Sequence, residues 1–149
     1  MIDTQNLMFV QAIPPQSPSS AGDAQQFVVD TAGYEFLTYV SSIGTAVAGF
    51  DEYAALESDT VNGVFGTVPN SAFGASPNTT SAPLPTGTSD FTNGAIFMPL
   101  FGRKRYHKFR AKVGSGGAVG ISVLAILSRG EQAPSTATLR GLVQGQVIL

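Results

Sequence analysis

Gly102-Arg-Lys-Arg-Tyr-His-Lys-Phe-Arg-Ala-Lys-Val-Gly114 holds six of the eight Lys and Arg residues of a 149-residue chain. No Lys or Arg precedes it. Side chains alternate across a strand, so in an extended stretch Tyr106, Lys108, Arg110 and Lys112 face one way and His107, Phe109, Ala111 and Val113 the other. That pattern predicts a half-buried strand with a cationic outer face. Residues 1–102 carry nine acids and no base, whereas residues 103–149 carry eight bases and one acid, for a formal charge of −2 overall. Such segregation points to a charged partner or to charge pairing within the chain.

Working outward, Gly114-Ser-Gly-Gly117 turns the chain into Ala118–Leu127, whose β-branched content and Gly-rich flank predict a strand buried on both faces. On the other side Ala95–Leu100 is a further strand. Phe27–Asp30 and Tyr34–Ile43 are rich in aromatic and β-branched residues and are separated by a Thr-Ala-Gly turn. Both faces of the second are largely apolar, which suits an inner strand. Phe50–Thr60 reads as a strand or a short helix, with strand preferred, and Asn62-Gly63 predicts a two-residue hairpin turn because both residues accept positive φ.

The remainder is punctuation and ends. Leu7–Ile13 is apolar on both faces and fits either a buried strand or an arm docked on a neighbouring subunit. Pro14–Gln26, with three prolines and three serines, reads as an exposed linker. From Gly66 to Asn93 the chain has four prolines and one charge, Asp90, which predicts a long loop that covers a surface or reaches a partner. Thr136–Leu149 is a last extended segment, with Arg140, Gln144 and Gln146 opposite Leu139, Val143 and Val147. The expected fold is an all-β, jelly-roll-like sandwich of about eight strands. Residues 1–26 form its N-terminal arm and Pro-rich linker, and residues 27–149 a single domain.

Composition narrows the function classes. Cysteine is absent, which excludes disulfides and thiolate chemistry. The first residues lack the basic region of a secretory signal, so an intracellular origin is expected. The longest apolar run, Ala118–Leu127, is about half the roughly 20 residues of a spanning helix, and no membrane association is expected.

Catalytic constellations are sparse. His107 is the only histidine and turns inward beside Phe109 and Ala111, so a Ser-His-Asp arrangement would depend entirely on it. No Gly-x-Ser-x-Gly elbow accompanies a serine. Asp51, Glu52, Glu57 and Asp59 form the densest acidic cluster, but without the carboxylate spacing and central glycine of a helical calcium loop. A solvated face, or an anionic partner for the basic strand, explains them better. Gly114–Gly120 lacks the third glycine and the βαβ surroundings of a dinucleotide fingerprint. No enzyme activity, metal or cofactor is expected.

Three roles remain open for the basic strand. Its cations, with Tyr106 for stacking, suit a small nucleic-acid-binding β-domain using residues 103–112, although no RNA-binding signature is present. Lysines on an exposed edge strand block unwanted pairing. A cationic strip also complements an acidic protein surface. A carbohydrate-binding sandwich is a further possibility and requires Tyr34, Tyr39 and Tyr53 to be exposed.

Tyr34-Glu-Phe-Leu-Thr-Tyr-Val with the downstream Gly44, then Ala55-Leu-Glu-Ser-Asp59, then Gly102-Arg-Lys-Arg-Tyr106 and the following strand, together resemble small virion proteins of tailed double-stranded-DNA bacteriophages. The resemblance covers approximately residues 27–130, and its most specific piece is Gly-Arg-Lys-Arg-Tyr. It implies a capsid cement or decoration protein, made in the host cytoplasm, that sits on the outer capsid surface and bridges major capsid protein subunits. It also implies homodimers or homotrimers and no direct nucleic-acid contact. Arg103, Lys104, Arg105, Lys108, Arg110 and Lys112 are the expected contact surface, the first three from a loop and the last three from a strand face.

Overall fold

The computed structural model describes residues 7–19, 21–73 and 93–130. The expected strand Thr136–Leu149 and most of the Pro-rich stretch at 66–93 lie outside these residues. Eight strands follow one another: β1 (Met8–Gln16), β2 (Val29–Asp30), β3 (Phe36–Ala46), β4 (Phe50–Ser58), β5 (Gly66–Thr67), β6 (Asn93–Pro99), β7 (Tyr106–Val113) and β8 (Val119–Ser128). No helix occurs among the described residues.

The strands form two four-stranded sheets, ordered β1-β8-β3-β6 and β2-β7-β4-β5, and every pairing is antiparallel. Strand β1 thus lies beside β8, β2 beside β7, β3 beside β6, and β4 beside β5. The eight strands trace one long hairpin, with its apex between β4 and β5, rolled so that alternate strands fall in opposite sheets. This is a jelly-roll β-sandwich. Strand count alone left the order open; the pairings supply it.

The alternation read from the sequence places the core. His107, Phe109, Ala111 and Val113 of β7 are buried, as are Leu37, Tyr39, Ser41 and Ile43 of β3 and Val119, Ile121, Val123, Ala125 and Leu127 of β8. The aromatic rings lock the sheets together. Phe109 of β7 meets Tyr39 of β3 edge-on at 5.2 Å and Tyr53 of β4 at 4.8 Å, and Phe73 stands at 5.0 Å from Tyr53. Each such pair adds about 0.5–1.5 kcal/mol beyond the area it buries.

Several expectations are corrected. Strand β8 is buried on one face only; Leu124 and Ile126 on the other are half-buried. Asn62-Gly63 is not a positive-φ hairpin turn. Neither residue has positive φ, and the Gly63 amide instead closes a turn on the Thr60 carbonyl at 3.1 Å within a longer β4–β5 connection. Phe50–Thr60 resolves as strand, and its inner positions Tyr53 and Ala55 pair with Ala111 and Phe109.

The stretch read at Leu7–Ile13 falls in β1 from Met8 onward, an edge strand whose pairing with β8 skips Pro14 and Pro15 at a register shift between Ile13 and Gln16, where their missing N–H groups are not needed. The stretch read as an exposed linker runs along the sandwich. The Gln16 side-chain amide takes both main-chain groups of Gln25, at 2.9 Å and 3.1 Å, in place of a strand partner. Ala24 is buried, with its amide on the Ala111 carbonyl at 3.0 Å.

Candidate partner-binding surface

Two glycine turns deliver the basic stretch to the second sheet. Gly33 (φ 81°) closes Thr31–Tyr34 after β2, and Gly102 (φ 72°) closes Leu100–Arg103 before β7, each through an amide-to-carbonyl bond of 3.0–3.1 Å. A residue with positive φ at the third turn position is what a type II turn requires. The Thr31 amide and hydroxyl both donate to the Arg105 carbonyl, at 3.0 and 2.7 Å, and fix the start of β7 against β2.

Strand β7 runs between β2 and β4, so its outward cations stand among the acids of its neighbours. Arg105 meets Asp30 of β2 through two nitrogens, at 2.8 and 2.7 Å. Lys104 reaches Asp59 at 3.0 Å, Arg103 reaches Glu57 at 3.8 Å, and Arg110 bridges Glu52 at 3.1 Å and Asp23 at 3.8 Å. Lys108 lies over the Phe65 ring at 4.4 Å. Lys112 has no carboxylate within 4 Å among the described residues.

The charge asymmetry between the two halves of the sequence therefore resolves largely into pairing within the chain. Glu52, Glu57 and Asp59 were legible as an anionic partner for the basic strand. Asp23 and Asp30 were not, because each meets its cation only through sheet pairing, and neither stands in a cluster that would flag it.

Electrostatics follow the geometry. The hydrogen bond from Arg105 holds the Asp30 carboxyl below its usual range, helped by the Ala32 amide and opposed by burial. His107 is fully buried; Nε2 lies 2.7 Å from the Lys104 carbonyl, which can only accept, so Nε2 carries the proton and Nδ1 is an acceptor without a partner among the described residues. Burial pushes its pKa down, against the pull of the Lys104 carbonyl and Glu57, while Arg103 adds to the depression. The imidazole is thus a neutral core group that ties the Arg103–Arg105 loop to β7.

The carbohydrate reading loses its residues. Tyr39 and Tyr53 are 0% and 2% exposed, packed between the sheets, and Tyr34 donates to the Met8 sulfur at 3.3 Å. Among the described residues no group of three or more His, Asp or Glu is arranged to hold a metal ion.

No protein-family model matches the sequence, and no curated protein matches it. Among solved structures, a chain from the structure of infectious bursal disease virus, Gx strain, is similar with a TM-score of 0.50 and 15% identity over 86% of this chain. The match covers 34% of that chain, so this protein spans about a third of its length. The likeness is one of fold.

Proposed function

We propose that this chain is a structural virion protein, a cement or decoration subunit that sits on the outer capsid surface and bridges major capsid protein subunits, without enzymatic activity of its own. The observation that carries the reading is the strand pairing: an eight-stranded jelly roll, an architecture used by viral capsid domains, in a chain whose fold is similar to part of a virus structure. Lectin domains and cupins share the architecture, and the burial of Tyr39 and Tyr53 weighs against the first.

The contact surface in this reading is the strip formed by Arg103, Lys104, Arg105, Lys108, Arg110 and Lys112. Its ion pairs are mostly exposed, so they are weak and screened by salt, and a partner's carboxylates can exchange with them as the interface loses water. A nucleic acid would have to displace the same five carboxylates without the gain of a matched protein surface. That favours a protein partner.

Cosedimentation with expanded capsid shells of the parent virus, alongside labelled nucleic acid and across a salt series, tests the proposal. Saturable shell binding at a stoichiometry matching symmetry sites is expected, with little nucleic-acid retention at physiological salt. Tight nucleic-acid binding without shell binding, falling log-log with salt at a slope of about −0.9 per neutralised duplex phosphate, would transfer the strip to nucleic-acid recognition.

A further inference from the structure

Strands β1, β3, β6 and β8, which make up one whole sheet, contain no Asp, Glu, Lys or Arg on either face. A sheet with one solvated side normally carries polar and charged residues there. Register places Phe9, Ile126, Thr38 and Phe97 in one row on the outward side, with Leu124 and Val40 in the next. Phe36 pairs with Pro99, two residues from Phe97, so the two phenylalanines are diagonal neighbours within ring reach. On the opposite sheet the outward residues Ala54, Leu56 and Ser58 are buried by the chain itself.

Here the rings are open: Phe36 is 37% exposed, Phe97 79% and Phe101, just beyond β6, 99%. With aromatic side chains burying about 150–250 Å² each, these three leave roughly 400 Å² of apolar surface uncovered by the described residues, the size of the largest patch of a typical monomer, which is often functional. That is about half of the ~800 Å² each partner contributes to a stable interface.

We propose that this uncharged face binds a second copy of the chain in a two-fold contact centred on Phe36, Phe97 and Phe101. A two-fold interface must be complementary to itself, and strands without charge bring no like charges together, while the Glu35 carboxylate beside them is already paired with Arg129. It also offers both a projection and a recess. Tyr34, Glu35, Phe36, Leu100 and Phe101 line a recess of about 330 Å³, a cavity that an exposed ring of the other copy, such as Phe97, can enter. Arg129 lies over Phe36 at 5.3 Å and pairs with Glu35 at 3.6 Å, which gives the apolar centre a charged rim. The inference is independent of the virion reading, since it rests on the uncharged sheet and the adjoining Leu100–Phe101 segment and not on the cations of the strip.

The test is sedimentation equilibrium of the full chain, with Phe97→Asp/Phe101→Asp as the variant and circular dichroism as the check on folding. A dimer is expected, weakened roughly thirtyfold or more by loss of two aromatic anchors. A wild-type chain that stays monomeric at roughly 100 µM overturns the proposal, as covering of this face by residues 131–149 of the same chain would produce. A dimer indifferent to the double substitution overturns it equally. Should the variant misfold, a nitroxide on Ser128→Cys, the sole thiol in the chain, supplies a second readout: packed sheets lie about 10 Å apart, so an inter-copy distance under roughly 25 Å is expected, and none in that range rejects the contact.

Discussion

Arg105 grips Asp30 across the β2–β7 pair, Nε on Oδ1 at 2.8 Å and Nη2 on Oδ2 at 2.7 Å. Two parallel bonds in a planar fork are the most specific form of ion pair. Both side chains are half-exposed, however, so the pair orders the turn more than it stabilises the fold.

That geometry predicts a double-mutant cycle. Asp30→Asn and Arg105→Gln should each shift the urea midpoint slightly, and their non-additivity should shrink as salt rises. Because Asp30 titrates below 3.8 in the folded chain, its contribution is fully present above pH 3.8 and fades as pH falls through the folded value. The difference in midpoint between wild type and Asp30→Asn should therefore narrow on acidification. A coupling unchanged by salt and by acid would contradict this account.

Charge reversal tests the strip as a contact surface. Arg103→Glu, Lys104→Glu and Arg105→Glu together set new carboxylates against Glu57, Asp59 and Asp30. Shell occupancy in cosedimentation should fall roughly tenfold or more, the factor equivalent to about 1.4 kcal/mol. The fold should survive, since the pairs lie at the surface, and a cooperative thermal transition would verify that. Undiminished occupancy would remove these residues from the interface.

What could be read in advance follows the range of the interactions. Strand β7 was legible because its alternation of cation and apolar residue is local, and β8 because Gly114-Ser-Gly-Gly117 fixes its start. Sheet order was not, since β1 pairs with β8 through contacts more than a hundred residues apart that leave no mark on either strand. The cations of the candidate surface were found by composition alone. Their neutralisation depends on which strands flank β7, so Asp30 and Asp23 emerged only with the fold. Gln16 and Gln25 misled for a different reason: a side-chain amide performs the pairing that a sequence pattern assigns to the backbone.

His107 predicts a pH dependence near neutrality. Burial lowers its folded-state pKa below 6.5, so above pH 6.5 both states are neutral and its packing contributes in full. As pH falls below 6.5 the unfolded chain takes up a proton that the folded chain refuses, and stability drops until the folded value is passed. One proton limits the slope to about 1.4 kcal/mol per pH unit. Urea midpoints between pH 7.5 and 5 should show this decline in wild type and not in His107→Leu. A parallel decline in both would assign it elsewhere.

Two core tyrosines should respond oppositely to loss of the hydroxyl. The Tyr53 hydroxyl donates to Ser41 Oγ, and Ser41 passes its own proton to the Gly94 carbonyl at 3.2 Å, so this short chain links β4 to β3 and β6. Tyr53→Phe should cost about 1 kcal/mol, the net worth of one buried hydrogen bond. The Tyr39 hydroxyl is fully buried and has no partner among the described residues, a desolvated donor whose own pKa burial drives far up. Tyr39→Phe keeps the ring against Phe109 and removes only the unsatisfied group, so it should be neutral or stabilise by about 1 kcal/mol or more. Urea denaturation of the two variants separates the cases. A loss at Tyr39 as large as that at Tyr53 would mean that its hydroxyl has a partner, such as a buried water between the sheets.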